Sequence, residues 1–208
     1  MEGAPKIPSP PGYDRAYAQS YELAFDRLTH SNLNMICRVN GASLITDGII
    51  GLEYFGNPIT VDSLHRTVNS VNIPLTITEK LIILHYLVTA GGKTATGKLI
   101  TFKELPEGAG YFPTFYKRAV APVISKFGNS IANLRVAAAA IGGTAIDMGD
   151  AAVSFGVLPH VVLVWIIWRG DSVLPPEGSV VFDSTITDYL PVEDIAALCQ
   201  SIAGKLCG

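Results

Sequence analysis

The segment from Tyr111 to Arg118 concentrates versatile side chains, with four aromatic rings and two cations in eight residues. Aromatic faces stack on planar molecules, and neighbouring cations bind carboxylates or phosphates. A plainer interpretation is the start of a helix whose rings fill the core while its cations face water. Both interpretations stay open at this point. The candidate ligand contacts in this segment are Tyr111, Phe112, Phe115 and Tyr116.

A glycine-rich segment, Gly92 to Leu99, nearly matches the phosphate-binding pattern G-x-x-x-x-G-K-[S/T]. Leu99 replaces the hydroxyl residue that would hold Mg²⁺. The segment also follows a predicted helix and precedes a predicted strand, which is the reverse of the order that aims a helix N-terminus at an anion. A flexible connection is therefore the favoured interpretation, and Lys98 stays a candidate contact for a smaller anion.

The four histidines are scattered along the chain, without the spacing of a metal site, and no metal site is predicted. His160 directly precedes a long apolar run, where an imidazole is a candidate axial ligand for the metal of a bound cofactor. A histidine held by ordinary structural contacts is the plainer interpretation of the same position.

Acidic residues concentrate in the last third of the chain. Asp150 and Asp171 flank the predicted central strand, and we expect them at opposite ends of it. Asp183 and Asp188 bracket a turn before the last helix, which favours turn and helix-cap roles over cation binding. If the protein is an enzyme, a carboxylate at position 150, 183 or 188 is the candidate base.

Composition excludes several classes of function. The 208 residues include 15 Lys and Arg against 18 Asp and Glu, so the chain lacks the basic excess that nucleic-acid binding uses. The sequence is 49% hydrophobic and 16% charged, yet its apolar run at 161–168 is far shorter than the roughly 20 residues of a membrane-spanning helix. The N-terminus does not resemble a secretory signal, so we expect a cytoplasmic protein with its three cysteines reduced.

Helices and short strands must position the candidate residues. Residues 1–12 are rich in proline and predict a flexible tail. Thr76 and Glu79 match a capping box, which predicts a helix to about Ala90. Turn dipeptides between β-prone stretches in residues 35–61 predict antiparallel hairpins. Further helices are predicted at 13–30, at 113–127 with a kink at Pro122, at 130–141 and from Pro191 onward, and strands at 99–102 and 180–182.

The run from Val161 to Trp168 is continuous, apolar and rich in β-branched residues, which is typical of a strand covered on both faces. We therefore predict a single α+β domain over residues 13–208. Its sheet is mixed or antiparallel, centred on residues 161–168, and packed against the helix at 78–90 and the C-terminal helix.

Five segments together carry a family resemblance. They are LIILHYL at 81–87, TGKLITFKELP at 96–106, YFPTFY at 111–116, GDAA at 149–152 and FDSTITDYLPVED at 182–194. In this order they resemble the domain-of-unknown-function family numbered 3786, whose members occur largely in anaerobic bacteria and archaea. The resemblance implies a setting in anaerobic one-carbon or corrinoid metabolism and assigns no reaction. It adds Tyr189 to the candidate residues.

The leading hypothesis is a non-catalytic cytoplasmic binding or accessory protein that holds a planar cofactor, with a corrinoid or another tetrapyrrole as the first candidate. One alternative is an enzyme acting on a small anionic or phosphorylated substrate, which requires Lys98 and one of the candidate carboxylates to face the same pocket. The other alternative is an adaptor that docks a partner enzyme. The candidate cofactor contacts are Lys98, Tyr111, Phe112, Phe115, Tyr116, His160 and Tyr189.

Overall fold

The computed structural model describes residues 13–208, with side chains from Tyr17 onward. The predicted tail at residues 1–12 lies outside this range. The chain folds as an α+β structure, as the sequence predicts, with helices and two antiparallel sheets. None of the helices within the described range combines the length and the apolarity that a membrane span requires.

Most helices begin and end close to their predicted limits, a helix at residues 33–40 is an addition, and the helix predicted at 113–127 differs. The capping box forms as predicted: Thr76 Oγ1 accepts from the Glu79 N–H at 3.2 Å, and the Glu79 carboxylate accepts from the Thr76 N–H at 2.9 Å. The helices are α1 (Tyr13–Thr29), α2 (Leu33–Asn40), α3 (Ile77–Thr89), α4 (Gly108–Phe115), α5 (Ala121–Phe127), α6 (Ile131–Ala140) and α7 (Val192–Cys207).

The predicted helix at 113–127 starts earlier, at Gly108, and is interrupted. A five-residue π-helical segment, Tyr116–Val120, separates α4 from α5, and we name it the π-turn. Pro122 has no N–H to donate to the preceding turn, which explains why the regular α-helical pattern fails just before it. The interruption replaces the predicted kink. π-turns of this kind often lie at functional sites.

The hairpins predicted within residues 35–61 form a four-stranded antiparallel meander in the order β1-β2-β3-β4. The first part of that stretch is not β-structure, however, because α2 occupies it. Asn32 caps α2 by accepting from the Met35 N–H at 3.1 Å, and Gly41 ends it in the left-handed region. The strands are β1 (Ser43–Thr46), β2 (Ile49–Tyr54), β3 (Asn57–Asp62) and β4 (Thr67–Ser70).

The second sheet is five-stranded and antiparallel, in the order β5-β9-β8-β7-β6. The strand Val161–Trp168 is central, as predicted. The two strands that precede it in the chain, β6 and β7, were not predicted. The strands are β5 (Leu99–Thr101), β6 (Thr144–Ile146), β7 (Ala151–Leu158), β8 (Val161–Trp168) and β9 (Glu177–Asp183).

The unpredicted strand β7 corrects the placement of Asp150. Because β7 runs antiparallel to β8, Asp150 lies beside the end of β8, where its carboxylate accepts from the Arg169 N–H at 2.7 Å. Asp171 follows two residues later, so the two carboxylates lie at the same end of the central strand. The expectation of opposite ends was wrong because strand β7 was not predicted, and its antiparallel pairing brings Asp150 beside the end of β8.

The hydrophobic core joins both sheets to the helices. One continuous cluster of buried side chains includes residues of β2, β3, β7, β8 and β9 together with α1, α3, α5 and α7. The helical backbones nearest the second sheet are those of the π-turn, α5 and α6, and the Trp165 indole donates to the Ala119 carbonyl at 3.3 Å. By contrast, α3 and α7, which the sequence placed on the sheet, pack mainly against other helices.

Candidate functional site

Two of the four candidate rings between Tyr111 and Tyr116 belong to the core. Phe115 is 2% exposed and stacks on Phe102 with ring centroids 4.0 Å apart. Phe112 is half-buried, and the Lys103 ammonium lies 4.2 Å from its ring centroid. These rings hold the segment in place, so the plainer interpretation is right for them.

Tyr111 and Tyr116 remain accessible, at 44% and 38% exposure. Tyr111 lines a groove of about 750 Å³ between residues 106–118 and the helices α1 and α7, and we name it the Tyr111 groove. Arg118 lies on the same groove. The lining residues are Tyr17, Pro106, Glu107, Gly110, Tyr111, Arg118, Val192, Glu193, Ala196, Ala197 and Gln200.

Local backbone geometry shapes one wall of the Tyr111 groove. Gly108 lies so close to Phe102 that a Cβ built on it would be 2.0 Å from the Phe102 carbonyl oxygen, and only glycine fits there. The preceding residue, Glu107, has a φ of 58°, which is strained for a side chain of this kind. This tight turn starts α4 and places Glu107 and Tyr111 on the groove.

The opposite wall is built from small residues of α7. Ala196 and Ala197 leave room beside the Tyr111 ring, and Glu193 and Gln200 project from the same helix. Glu193 and Gln200 are seven residues apart, so two helical turns place them on one face. No local sequence pattern connects this face with Tyr111, because none reports which helix packs beside α4.

The charges of the Tyr111 groove are uneven. Within the described residues, neither Lys117 nor Arg118 has a hydrogen-bonding or ion-pair partner. Together with Pro113 and Thr114 they line an adjoining depression of about 500 Å³. At the other side, Glu193 also lines a smaller depression of about 160 Å³ that contains Asp194. Cations therefore gather at the π-turn, whereas carboxylates lie near the start of α7 and, on the Tyr111 wall, at Glu107.

Lys98 does not belong to the Tyr111 groove. Its carbonyl accepts from the Ser184 N–H at 2.8 Å, and its side chain is exposed outside the described pockets. The enzyme alternative required Lys98 and a candidate carboxylate to face one pocket. The geometry does not favour that arrangement.

The glycine-rich connection, residues 91–98, is named the glycine loop, and several of its backbone donors are occupied. Asp183 accepts from the Thr96 N–H at 3.2 Å and from the Gly97 N–H at 2.7 Å. Asp188 accepts from the Lys93 N–H at 3.0 Å, and the Lys93 ammonium lies 3.1 Å from its other oxygen. The anions that this loop binds are thus two carboxylates of the same chain.

Hydrogen bonding keeps both carboxylates ionised. Burial works to raise the pKa of Asp183, but donors from Thr185, Thr96 and Gly97 outweigh it and lower the pKa to about 2. Burial also opposes ionisation of Asp188, and the contacts of Lys93 lower its pKa below the ordinary value. The predicted turn role is confirmed for Asp183, whose carboxylate accepts from the Thr185 N–H at 2.9 Å. Asp188 does not have the predicted local role, because its carboxylate contacts Lys93 of the glycine loop and does not cap α7.

His160 and Tyr189 meet on a different surface. Their ring centroids are 5.2 Å apart, and both line a cavity of about 300 Å³ that we name the His160 cavity. Tyr189 is buried, and its hydroxyl donates to the Lys93 carbonyl. No residue lines both the His160 cavity and the Tyr111 groove, so the structure divides the predicted cofactor contacts between two places.

Metal ligands do not cluster in the part of the chain that the structure describes. There, no three side chains of His, Cys, Asp or Glu come close enough to hold an ion. The pair of His85 and Asp194, with Nδ1 and Oδ2 2.6 Å apart, is a two-membered contact between α3 and α7.

The sequence matches the profile of a family described as a domain of unknown function (DUF3786) over residues 32–205. The chain belongs to this family. The match confirms the resemblance given by the five segments, and the DUF3786 region contains both the Tyr111 groove, apart from Tyr17, and the His160 cavity. A comparison with curated proteins finds no match, and a comparison with solved structures finds none either.

Proposed function

We propose that this DUF3786 protein binds a planar, anionic small molecule in the Tyr111 groove and acts as a binding or accessory protein without catalysing a reaction. The observation that carries the proposal is the accessible Tyr111 ring beside the unpaired Arg118 guanidinium, on a groove of about 750 Å³. This volume lies within the range of roughly 300–1,000 Å³ that is typical of small-molecule sites.

A tetrapyrrole is the first ligand class to consider. The alanine wall of α7 and the Tyr111 ring suit a flat macrocycle, and the cations at the π-turn suit its carboxylates. A carboxylate-bearing porphyrin matches two cations better than a corrinoid does, because the rim of a corrinoid carries mainly amides. We place this role in an anaerobic organism, as the family resemblance implies, and in the cytoplasm, as the N-terminal sequence suggests.

The groove does not offer the axial imidazole that the sequence suggested. Its lining contains no histidine, cysteine or methionine side chain, and His160 lies on the other cavity. The residues therefore fit the plane and the carboxylates of a tetrapyrrole, but not coordination of its metal by His160. A metal-free porphyrin is accordingly expected to bind as well as its metal complex.

Absorbance titration of the purified full chain tests the proposal, with protoporphyrin IX, haemin and hydroxocobalamin as probes. We expect protoporphyrin IX and haemin to bind with similar affinity, and hydroxocobalamin to bind more weakly. Arg118→Gln should weaken porphyrin binding about tenfold or more, the usual effect of losing a charge-assisted hydrogen bond.

Arg135→Gln is the matched control, because Arg135 is exposed on α6, outside the Tyr111 groove. Binding that is equally strong in both variants would contradict the proposed site. Absence of porphyrin binding above the level of an unrelated protein would remove the proposed function.

A further inference from the structure

The His160 cavity lies outside the proposed function and has its own ligand preference. It opens between the glycine loop and the outer face of the second sheet, since Ala95 of the loop and Val162 and Val164 of β8 line it together. We infer that the His160 cavity is a second binding site, for a small neutral molecule that is mostly apolar and carries one carbonyl or hydroxyl oxygen.

The walls of the cavity favour apolar contact. Val162 is 47% exposed and Leu99 is 43% exposed, although both are on strands of the second sheet. On the same outer face, Val164 and Val181 are already buried in a small cluster of their own. A ligand between Val162 and Leu99 would extend this cluster and remove apolar surface from water.

Water in this space finds few polar partners on the wall. A volume of about 300 Å³ corresponds to about ten molecules of liquid water, and each buried water needs two to four polar partners. Most polar groups on the wall already have partners: the Thr185 hydroxyl donates to Asp183, and the Tyr189 hydroxyl donates to the Lys93 carbonyl. Displacing weakly held water with apolar groups favours binding.

The exposed side chain of His160 supplies an uncharged polar contact. Within the described residues, no hydrogen-bond partner occupies its imidazole. One ring nitrogen of an imidazole donates and the other accepts, so either a carbonyl or a hydroxyl oxygen of the ligand satisfies it.

Asp183 decides the charge of the ligand. Its carboxylate lines the cavity, and the bonds from Thr185 and the glycine loop keep it ionised at neutral pH. A second negative charge nearby would be repelled by this carboxylate. A neutral ligand is therefore preferred over a carboxylate or a phosphate.

The glycine loop provides a route into the cavity. Gly92 and Gly97 both have a φ of 75°, a conformation that other residues rarely adopt, and residues 91–99 are exposed. The loop is held in place through the bonds that Asp183 and Asp188 accept from its backbone. Separation of these few contacts would open the cavity from one side without disturbing the sheet.

Three aromatic probes of similar size test the inference: acetophenone, toluene and benzoate. Binding is measured by NMR on the full chain, from shifts of the His160 ring and of valine methyl groups. We expect acetophenone to bind more tightly than toluene, and toluene more tightly than benzoate. Val162→Phe fills the cavity and should weaken acetophenone binding at least about tenfold, whereas Val136→Phe, the same change at an exposed site on α6, should have no effect.

His160→Ala should remove the advantage of acetophenone over toluene while toluene still binds. The inference is overturned if benzoate binds best, or if Val162→Phe and Val136→Phe bind acetophenone equally. Arg118→Gln separates this site from the Tyr111 groove, because it should leave acetophenone binding unchanged whether or not porphyrins bind.

Discussion

At the scale of single residues, Asp183 does more than its predicted turn role requires. Besides the Thr185 N–H at 2.9 Å, it accepts from Thr96 and Gly97, which lie almost ninety residues earlier in the chain. Asp183→Asn keeps the shape but replaces one acceptor oxygen with an amide donor that faces other donors. We expect a loss of about 2 kcal/mol in the free energy of unfolding at pH 7, measured by chemical denaturation.

The pH dependence of this effect has a definite sign. The pKa of Asp183 is about 2 in the folded chain and lies below its ordinary value. The stabilisation is therefore fully present above about pH 4, near the unfolded pKa of an aspartate, and is lost as the pH falls towards 2. The difference between wild type and Asp183→Asn should shrink over the same window. Asp47→Asn, in an exposed turn, is the control, and an equal loss in both variants would contradict the role of Asp183.

Single positions show what the sequence is able to predict and what it leaves open. Local chemistry predicted turn roles for Asp183 and Asp188, but their glycine-loop partners lie far away in sequence. The sequence predicted a helix from residue 113, whereas α4 begins at Gly108 and so includes Tyr111, four residues before Phe115. Spacing alone does not reveal that Phe102 covers Phe115 and leaves Tyr111 accessible.

At the scale of elements, the N-terminus of α3 is fixed to the C-terminal end of α7. Glu79 is buried, and its carboxylate lies 2.8 Å from the Lys205 ammonium while it also completes the capping box with Thr76. Burial works against ionisation, but the bonds from Lys205 and Thr76 outweigh it and lower the pKa of Glu79. The ion pair therefore connects two helices as well as capping one.

A double-mutant cycle measures this connection. Glu79→Gln, Lys205→Met and the double variant should give a coupling free energy of about 1–2 kcal/mol, since one partner is buried and the other is partly exposed. Lys80→Met replaces a neighbouring lysine without this contact and should show coupling to Glu79→Gln near zero. If the coupling free energy between Glu79→Gln and Lys205→Met is also zero, Glu79 acts only as a cap.

Elements with strong local signals were predictable, and elements with weak local signals were not. The capping box at Thr76 located α3 because both halves of the signal are adjacent in sequence. The eight-residue α2 was missed among β-prone neighbours, although Asn32 is a recognisable cap. Strand β7 starts with two alanines and contains Gly156, which weakens its local β signal. Its pairing with β8 supplies the stability that its own residues do not indicate.

At the scale of the whole molecule, the prediction of a single domain requires the two sheets to share one core. The Phe55 N–H at the end of β2 donates to the Val157 carbonyl of β7 at 2.9 Å, and one buried cluster runs through both sheets. A shared core predicts cooperative unfolding, because neither sheet covers its apolar face alone. Both tryptophans lie on β8, so their fluorescence reports on the second sheet.

Ile59→Ala tests this cooperativity from the opposite sheet. Ile59 is 1% exposed on β3, so its truncation should lower the free energy of unfolding by about 2–5 kcal/mol. In one domain, the transitions seen by tryptophan fluorescence and by far-ultraviolet circular dichroism shift together by this amount. Ile45→Ala, at an exposed position of β1, should change stability by less than about 1 kcal/mol. If the meander instead unfolds as a separate unit, Ile59→Ala lowers only the dichroism transition and leaves the fluorescence midpoint in place.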